Sequence, residues 1–260
     1  MKLRLDKLLV DRGLVLSRER AQSLILAGKV LVNDQKIEKS GAAVNEDSVI
    51  RLLGDDLKYV SRGGLKLERA LQLWHIDVTG RTCLDVGAST GGFTDCLLQH
   101  GATRVIAIDT GYGQLDFRLR NDARVRLLEK TNARYLRHEV LGEFATFIAM
   151  DVSFISATLV LPAVTASAFP PSSVEPATNK SVSTPAESPR DLVVLVKPQF
   201  EAGRTEVGKG GIVRNEVAQL ASLDRVRQCA LELGARFTDA IDSPILGTEG
   251  NREFLLYAKF

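Results

Sequence analysis

The spacing of apolar positions changes character along the chain. Over residues 3–12, Leu5, Leu8 and Leu9 recur at helical spacing and Gly13 supplies the stop. Over 17–27 a second helix is predicted, with Ser17 as its N-cap and Gly28 at its end. Two short alternating strands follow, in KVLVNDQKI and SVIRLL, with a polar turn at Asn33 and Asp34. From Leu65 onward the pattern changes character. KLERALQLW reads as an amphipathic helix with Trp74 as its core anchor. Then strand-like and helix-like segments alternate: TCLDVGA, GGFTDCLLQHG, RVIAIDT, a less regular basic stretch, TFIAMDVSF, ISATLVLPAVTA, DLVVLVK, a helix over about 215–233, and FLLYAKF. Such alternation predicts an α/β fold with a doubly wound, mostly parallel sheet, preceded by a small α+β module. The expected division is 1–58 for the module, 59–64 for a linker and 65–260 for the large domain. Residues 167–190, rich in Ser, Pro, Thr and Ala without periodicity, read as a flexible insertion.

Composition narrows the class. Hydrophobic content of 45% and charged content of 25% are enough for a real core. The net charge of +2 says little, but the first forty residues hold nine Lys/Arg against five acids, which hints at a polyanion-binding surface. Cys83, Cys96 and Cys229 include no C-x-x-C pair, so reduced thiols are expected and no metal site. No apolar run approaches the ~20 residues of a membrane span. The N-terminal stretch carries charges through its apolar positions, unlike a secretory signal. A cytoplasmic protein without a membrane partner is the expectation, and nothing points to an obligate protein partner.

Chemistry gathers at predicted strand ends. DLVVLVKPQFE runs apolar and stops at Lys197 before a proline, so Lys197 belongs at the carboxyl end of a buried strand. Ligands bind at that edge of a parallel sheet, although a lysine there can also simply reach for solvent. LDVGASTGGFTD places Asp85, Gly87, Ser89, Gly91, Gly92 and Phe93 between a strand and a helix. Glycines there let backbone pass close to a ligand, and the helix start offers free N–H groups. The loop is neither G-x-G-x-x-G nor a P-loop, since the lysine is missing. Asp109, ending the next strand, is placed to hold the ribose hydroxyls of a nucleoside cofactor, either NAD or S-adenosylmethionine.

Resemblance narrows this choice. DVGASTGGFT is similar to the first motif of class I methyltransferases, a Rossmann-like fold. SRERAQSLILAGKVLVNDQKI resembles the centre of an S4-type RNA-binding domain. The whole chain resembles the haemolysin A (TlyA) family, in which an S4 domain precedes an FtsJ-type 2′-O-ribose methyltransferase domain. In that family a Lys-Asp-Lys-Glu tetrad surrounds the target ribose. It falls here on Lys66 in SRGGLKLERAL, Asp151 in AMDVSFIS, Lys197 in VLVKPQFE and Glu253 in GNREFLLY. The 167–190 insertion is the chief departure from the family pattern.

The resemblance implies S-adenosylmethionine as cofactor and cytidine 2′-hydroxyls of ribosomal RNA in assembled subunits as target. It places Asp85, Gly87, Ser89, Gly91, Gly92 and Phe93 around the methionine part, Asp109 on the ribose and Asn132 beside the adenine. Arg4, Arg18, Lys29 and Lys39 become candidates for RNA phosphates. Lys197 could act as a neutral general base if desolvated beside Lys66, or as an ammonium offsetting alkoxide charge if its acids dominate. Two other classes compete. A non-catalytic RNA-binding or ribosome assembly factor would not need the tetrad. A cytolysin, which the family name suggests, would need a membrane-active segment that the sequence lacks.

Overall fold

The computed structural model describes residues 2–15, 17–53, 58–170, 189–203, 205–247 and 250–260. Two compact units divide the chain, Met1–Lys58 and Tyr59–Phe260.

The first unit runs β1 (Lys2–Arg4), α1 (Leu5–Asp11), α2 (Arg18–Leu26), β2 (Val30–Val32), β3 (Gln35–Lys36), β4 (Ala43–Asn45) and β5 (Ile50–Leu52). Leu5, Leu8 and Leu9 of α1 pack with Ala21, Leu24 and Ile25 of α2 into one core. Ser17 caps α2 as expected, its hydroxyl accepting from the Arg20 N–H. The helix expected over 3–12 starts only at Leu5. Lys2–Arg4 is instead a strand, antiparallel to β4. The reason lies in the 39–42 turn: Leu5 N donates to Ala42 O and Asp6 N to Ser40 O. The open N–H groups of the first helical turn are thus satisfied by a neighbouring segment, and the chain before them is free to stay extended.

The second unit runs α3 (Gly63–Leu73), β6 (Thr82–Val86), α4 (Gly92–Gln99), β7 (Arg104–Ile108), α5 (Phe117–Arg120), β8 (Val125–Leu128), α6 (His138–Leu141), β9 (Phe147–Met150), α7 (Leu161–Ala168), β10 (Asp191–Val196), α8 (Pro198–Glu201), α9 (Glu216–Glu232), β11 (Phe237–Asp242) and β12 (Phe254–Lys259). Seven strands form one sheet in the order β8-β7-β6-β9-β10-β12-β11. All neighbours are parallel except around β12, which runs against both β10 and β11. The doubly wound, mostly parallel sheet is therefore present. Period-two alternation feeds both faces: Leu192, Val194 and Val196 join one core cluster, Val193 and Leu195 the other.

Three expectations change. Residues 59–64 are part of this unit rather than a linker. Tyr59 is 2% exposed and sits in the core, and α3 already begins at Gly63. The helix expected from Ile155 begins at Leu161, because Pro162 has no N–H to give and fits only in a first turn. The insertion is shorter at its start, since α7 continues through Ala168 and Phe169 packs on Phe260 at 5.1 Å. Residues 171–188 of it lie outside the described residues.

Trp74 is only partly buried. It stacks on Tyr257 at 5.2 Å while its indole N–H donates to Asp239.

Candidate active site

Register brings the functional side chains to one edge of the sheet. Val86 of β6 pairs with Ile108 of β7 and with Met150 of β9, so Gly87, Asp109 and Asp151 leave the sheet side by side. Val196 of β10 pairs with Phe254 of the reversed β12. Lys197 thus exits at the same edge where Glu253 enters. Strand order reverses at β6, the switch point at which open α/β sheets bind ligands.

Lys66 arrives from α3. The start of this helix crosses the start of α4 at glycines. A Cβ on Gly92 would lie 2.9 Å from Gly64 N, and one on Gly64 only 2.3 Å from Tyr59. The close crossing lets Lys66, itself 9% exposed, reach the cleft.

The four tetrad residues form two ion pairs. Lys66 Nζ donates to Glu253 Oε2 at 2.6 Å, and Lys197 Nζ lies 2.6 Å from Asp151 Oδ1 while donating to Ser153 Oγ at 2.7 Å. The Lys197–Asp151 contact is a short ion pair, and the ammonium, with three donors, also serves Ser153. Glu253 is pinned by close packing, with a Cβ on Gly247 only 2.2 Å from its Oε1. Burying such pairs costs desolvation that a hydrophobic pair would not, so they are a poor way to stabilise a fold.

Two cavities meet here. One, about 270 Å³, is lined by Lys66, Asp151, Lys197 and Glu253 together with the glycine loop. The other, about 320 Å³, has apolar walls of Ile108, Ala133, Val152 and Ile155 with Asp109 among them. Gly87, Ser89 and Asp151 line both.

Around the loop, Gly87 has φ +85°, and a Cβ there would meet Asp151 O at 2.3 Å. Ser89 is also left-handed, at φ +48°. Asp109 holds the loop by accepting from Ser89 N at 2.7 Å and from Gly111 N at 2.6 Å. Gly92 and Phe93 line the first cavity.

Three residues expected at the cofactor line neither cavity. Asp85 is fully buried and lines neither cavity; its Oδ2 accepts from Thr94 Oγ1 at 2.6 Å, bracing the start of α4 from beneath. Gly91 caps α4 at φ +98°, where a Cβ would meet Leu119 at 2.3 Å and Leu115 at 2.8 Å, and it lines neither cavity. Asn132 is exposed and turns back to accept from Arg134 N, while its neighbours Thr131 and Ala133 line the second cavity. Sequence reading also passed over contributors. Ser61 and Arg62 line the first cavity; Gln114, Ser153 and Phe154 line the second. Phe154 is 92% exposed at φ +64°, packed on Phe200. Within VSFIS a phenylalanine reads as core, and only its backbone conformation turns it outward.

In the first unit, Arg4 and Arg18 converge on Asp6. Arg4 Nε and Nη2 donate to its two oxygens at 3.0 and 2.9 Å, and Arg18 Nε donates to Oδ2 at 3.0 Å. The turn that carries Lys39 is tied to the start of α1 next to them. Lys29 stands apart, exposed beyond the far end of α2 from Arg18. Among the described residues no group of His, Cys, Asp and Glu could hold a metal ion. No helix among them is long and apolar enough to cross a membrane.

Comparison with known proteins agrees with this arrangement. The profile of FtsJ-like methyltransferases matches residues 59–260, and that of the S4 domain matches residues 3–50. The chain is 42% identical over 257 residues to the 16S/23S rRNA (cytidine-2'-O)-methyltransferase TlyA of Mycobacterium tuberculosis, covering 98% of this chain and 89% of that one. It is 39% identical over 256 residues to Hemolysin A of Brachyspira hyodysenteriae, covering 98% and 99%. A solved haemolysin-named structure from Streptococcus thermophilus superposes with a TM-score of 0.69 at 39% identity, covering 99% of this chain and 88% of that one. With a Lys-Asp-Lys-Glu cluster at the switch point of a methyltransferase sheet and an S4 domain ahead of it in sequence, the chain belongs to the haemolysin A (TlyA) family of FtsJ-like methyltransferases.

Proposed function

We propose that the protein methylates the 2′-hydroxyl of cytidine in ribosomal RNA of assembled subunits, with S-adenosylmethionine as the methyl donor. One observation carries the reading: two ion pairs, the buried Lys66–Glu253 and the half-buried Lys197–Asp151, share a cavity that opens through Gly87, Ser89 and Asp151 onto a second pocket with apolar walls and Asp109 at its strand end. Family membership and the substrate in the name of the mycobacterial relative support it.

The residues fit the donor. The apolar second cavity suits adenine, and each Asp109 oxygen, bonded to one N–H, keeps a lone pair for a ribose hydroxyl. Gly87, Ser89, Gly92 and Phe93 would flank the methionine part. When bound, the sulfonium supplies a methyl group already activated for displacement. The protein's task is to align the 2′-oxygen and manage its proton. In the cleft each lysine is held against a carboxylate, so Lys197 and Lys66 present positive charge to the 2′-oxygen, offsetting the negative charge it gains as its proton leaves to water. Asp151 orients Lys197, and Glu253 orients Lys66. Phe154 offers an open aromatic face at the rim, suited to stacking against a base. Arg4, Arg18 and Lys39 would contact phosphates, positioning RNA without reading its sequence.

The test is a map of 2′-O-methylation in subunits incubated with protein and S-adenosylmethionine. A new alkali-resistant linkage at cytidine supports the proposal. Subunits bound but unmethylated would favour a binding factor.

A further inference from the structure

Asp6 is the buried charge that the chemistry above does not use. It lies in the first turn of α1 among Leu5, Leu8 and Leu9 and is 0% exposed. Its carboxylate is saturated. Oδ1 accepts from Arg4 Nε and from Lys7 N, while Oδ2 accepts from Arg4 Nη2, Arg18 Nε and Gln22 Nε2. Arg4 thereby pulls its carboxyl far below the usual range, with Gln22 and Arg18 adding to the effect.

The two arginines are held on one side only. Their side chains remain 53% and 52% exposed. Because Arg4 Nη2 and Arg18 Nε both donate to the same oxygen, at 2.9 and 3.0 Å, those nitrogens can be no more than 5.9 Å apart. Without a carboxylate between them, two guanidinium groups that close would repel. Arg4 also lies along the backbone of Gly41, where a Cβ would stand 3.4 Å from Nη2. No described residue accepts from the Nη atoms of Arg18, so its terminal fork faces outward. Planar forks of this kind match phosphate oxygens.

We propose that Asp6 is a positioning residue that holds Arg4 and Arg18 as a preformed double-guanidinium seat for one phosphate of an RNA backbone. The proposal rests on the reading that the N-terminal unit contacts RNA. It makes a prediction opposite in sign to simple electrostatics. Removing an acid from a basic surface raises its positive charge and should tighten RNA binding. If Asp6 positions the arginines, removing its charge loosens it.

The experiment measures binding of the full-length protein to bulk ribosomal RNA across a potassium chloride series. Asp6→Asn is expected to weaken binding and to reduce the slope of log affinity against log salt by about one. In an Arg4→Ala/Arg18→Ala background the same substitution is expected to add nothing, whereas a loss through misfolding would persist there. A second variant keeps the charge and removes the geometry: Arg4→Lys/Arg18→Lys, on half-exposed positions, is expected to lose affinity as Asp6→Asn does. Unchanged or tighter binding by Asp6→Asn, an undiminished loss in the alanine background, or wild-type affinity in the lysine pair each overturns the proposal. If the alanine pair itself binds RNA as wild type, the underlying assignment of the RNA surface falls with it.

Discussion

Gly87 and Gly91 stand four residues apart in one loop and answer to different constraints. Gly87 needs a left-handed backbone and has Asp151 O where a side chain would go. Gly87→Ala should therefore shift the Asp151 strand end and abolish cofactor binding, as calorimetry with S-adenosylmethionine would show; unchanged affinity would mean the loop is not the cradle. A bulky residue at Gly91 acts instead through Leu115 and Leu119, as a packing fault. Asp85 makes a second residue-scale prediction. Burial pushes its carboxyl from 3.8 up to about 7, with Asp151 and Asp109 adding to the rise. Unfolded, it ionises near 3.8, so its contribution to stability is full below that pH and is lost as pH rises through about 7. Asp85→Asn, which keeps an acceptor for Thr94, should raise the melting temperature at pH 8 and change little at pH 4. The gain has a ceiling of roughly 4 kcal/mol at ~1.36 kcal/mol per unit. Equal destabilisation at both pH values would contradict the account.

At the scale of elements, the site depends on one reversed strand and one close helix crossing. Glu253 reaches the cleft because β12 runs against β10, and Lys66 because α3 passes α4 at Gly64 and Gly92. Gly64→Val should drive α3 off Tyr59, destabilising the unit by about 1–3 kcal/mol as overpacked cores do and slowing transfer through the displaced Lys66. Thermal unfolding and turnover together check this, and a stable, fully active variant would refute the crossing as the device. Much of the sheet was legible, because β6, β7, β9 and β10 are short, largely apolar runs bounded by turn signals and alternating with helical segments, the pattern of strands buried on both faces. Short elements were not. β1 and β4 span three residues each, too few for any period to register, and β8 was hidden in a basic stretch. The edge strand β11 carries Thr238, Asp239 and Asp242 among its apolar positions, so it does not resemble a strand buried on both faces. Lys197 could be placed at a strand end from its proline. The inward burial of Asp85, the outward turn of Asn132 and the left-handed Phe154 depend on neighbours far away in the chain, and no local pattern encodes them.

At the scale of the whole molecule, the chain divides into two units, each with its own core, and the proposed function assigns RNA binding to the first and the chemistry to the second. Removing residues 1–58 should leave S-adenosylmethionine affinity nearly intact and weaken binding to ribosomal subunits, with a shallower salt dependence from the lost phosphate contacts. Titrations of both proteins across salt concentration would show it; equal RNA affinity would move the RNA surface to residues 59–260. The central claim concerns the two ion pairs at the sheet edge, and single-turnover methyl transfer from labelled S-adenosylmethionine to isolated subunits tests it most directly. Lys197→Ala should bind cofactor and subunits as wild type and transfer methyl at least ~10²-fold more slowly, the scale of a preorganised electrostatic group. Transfer at the wild-type rate would contradict the account.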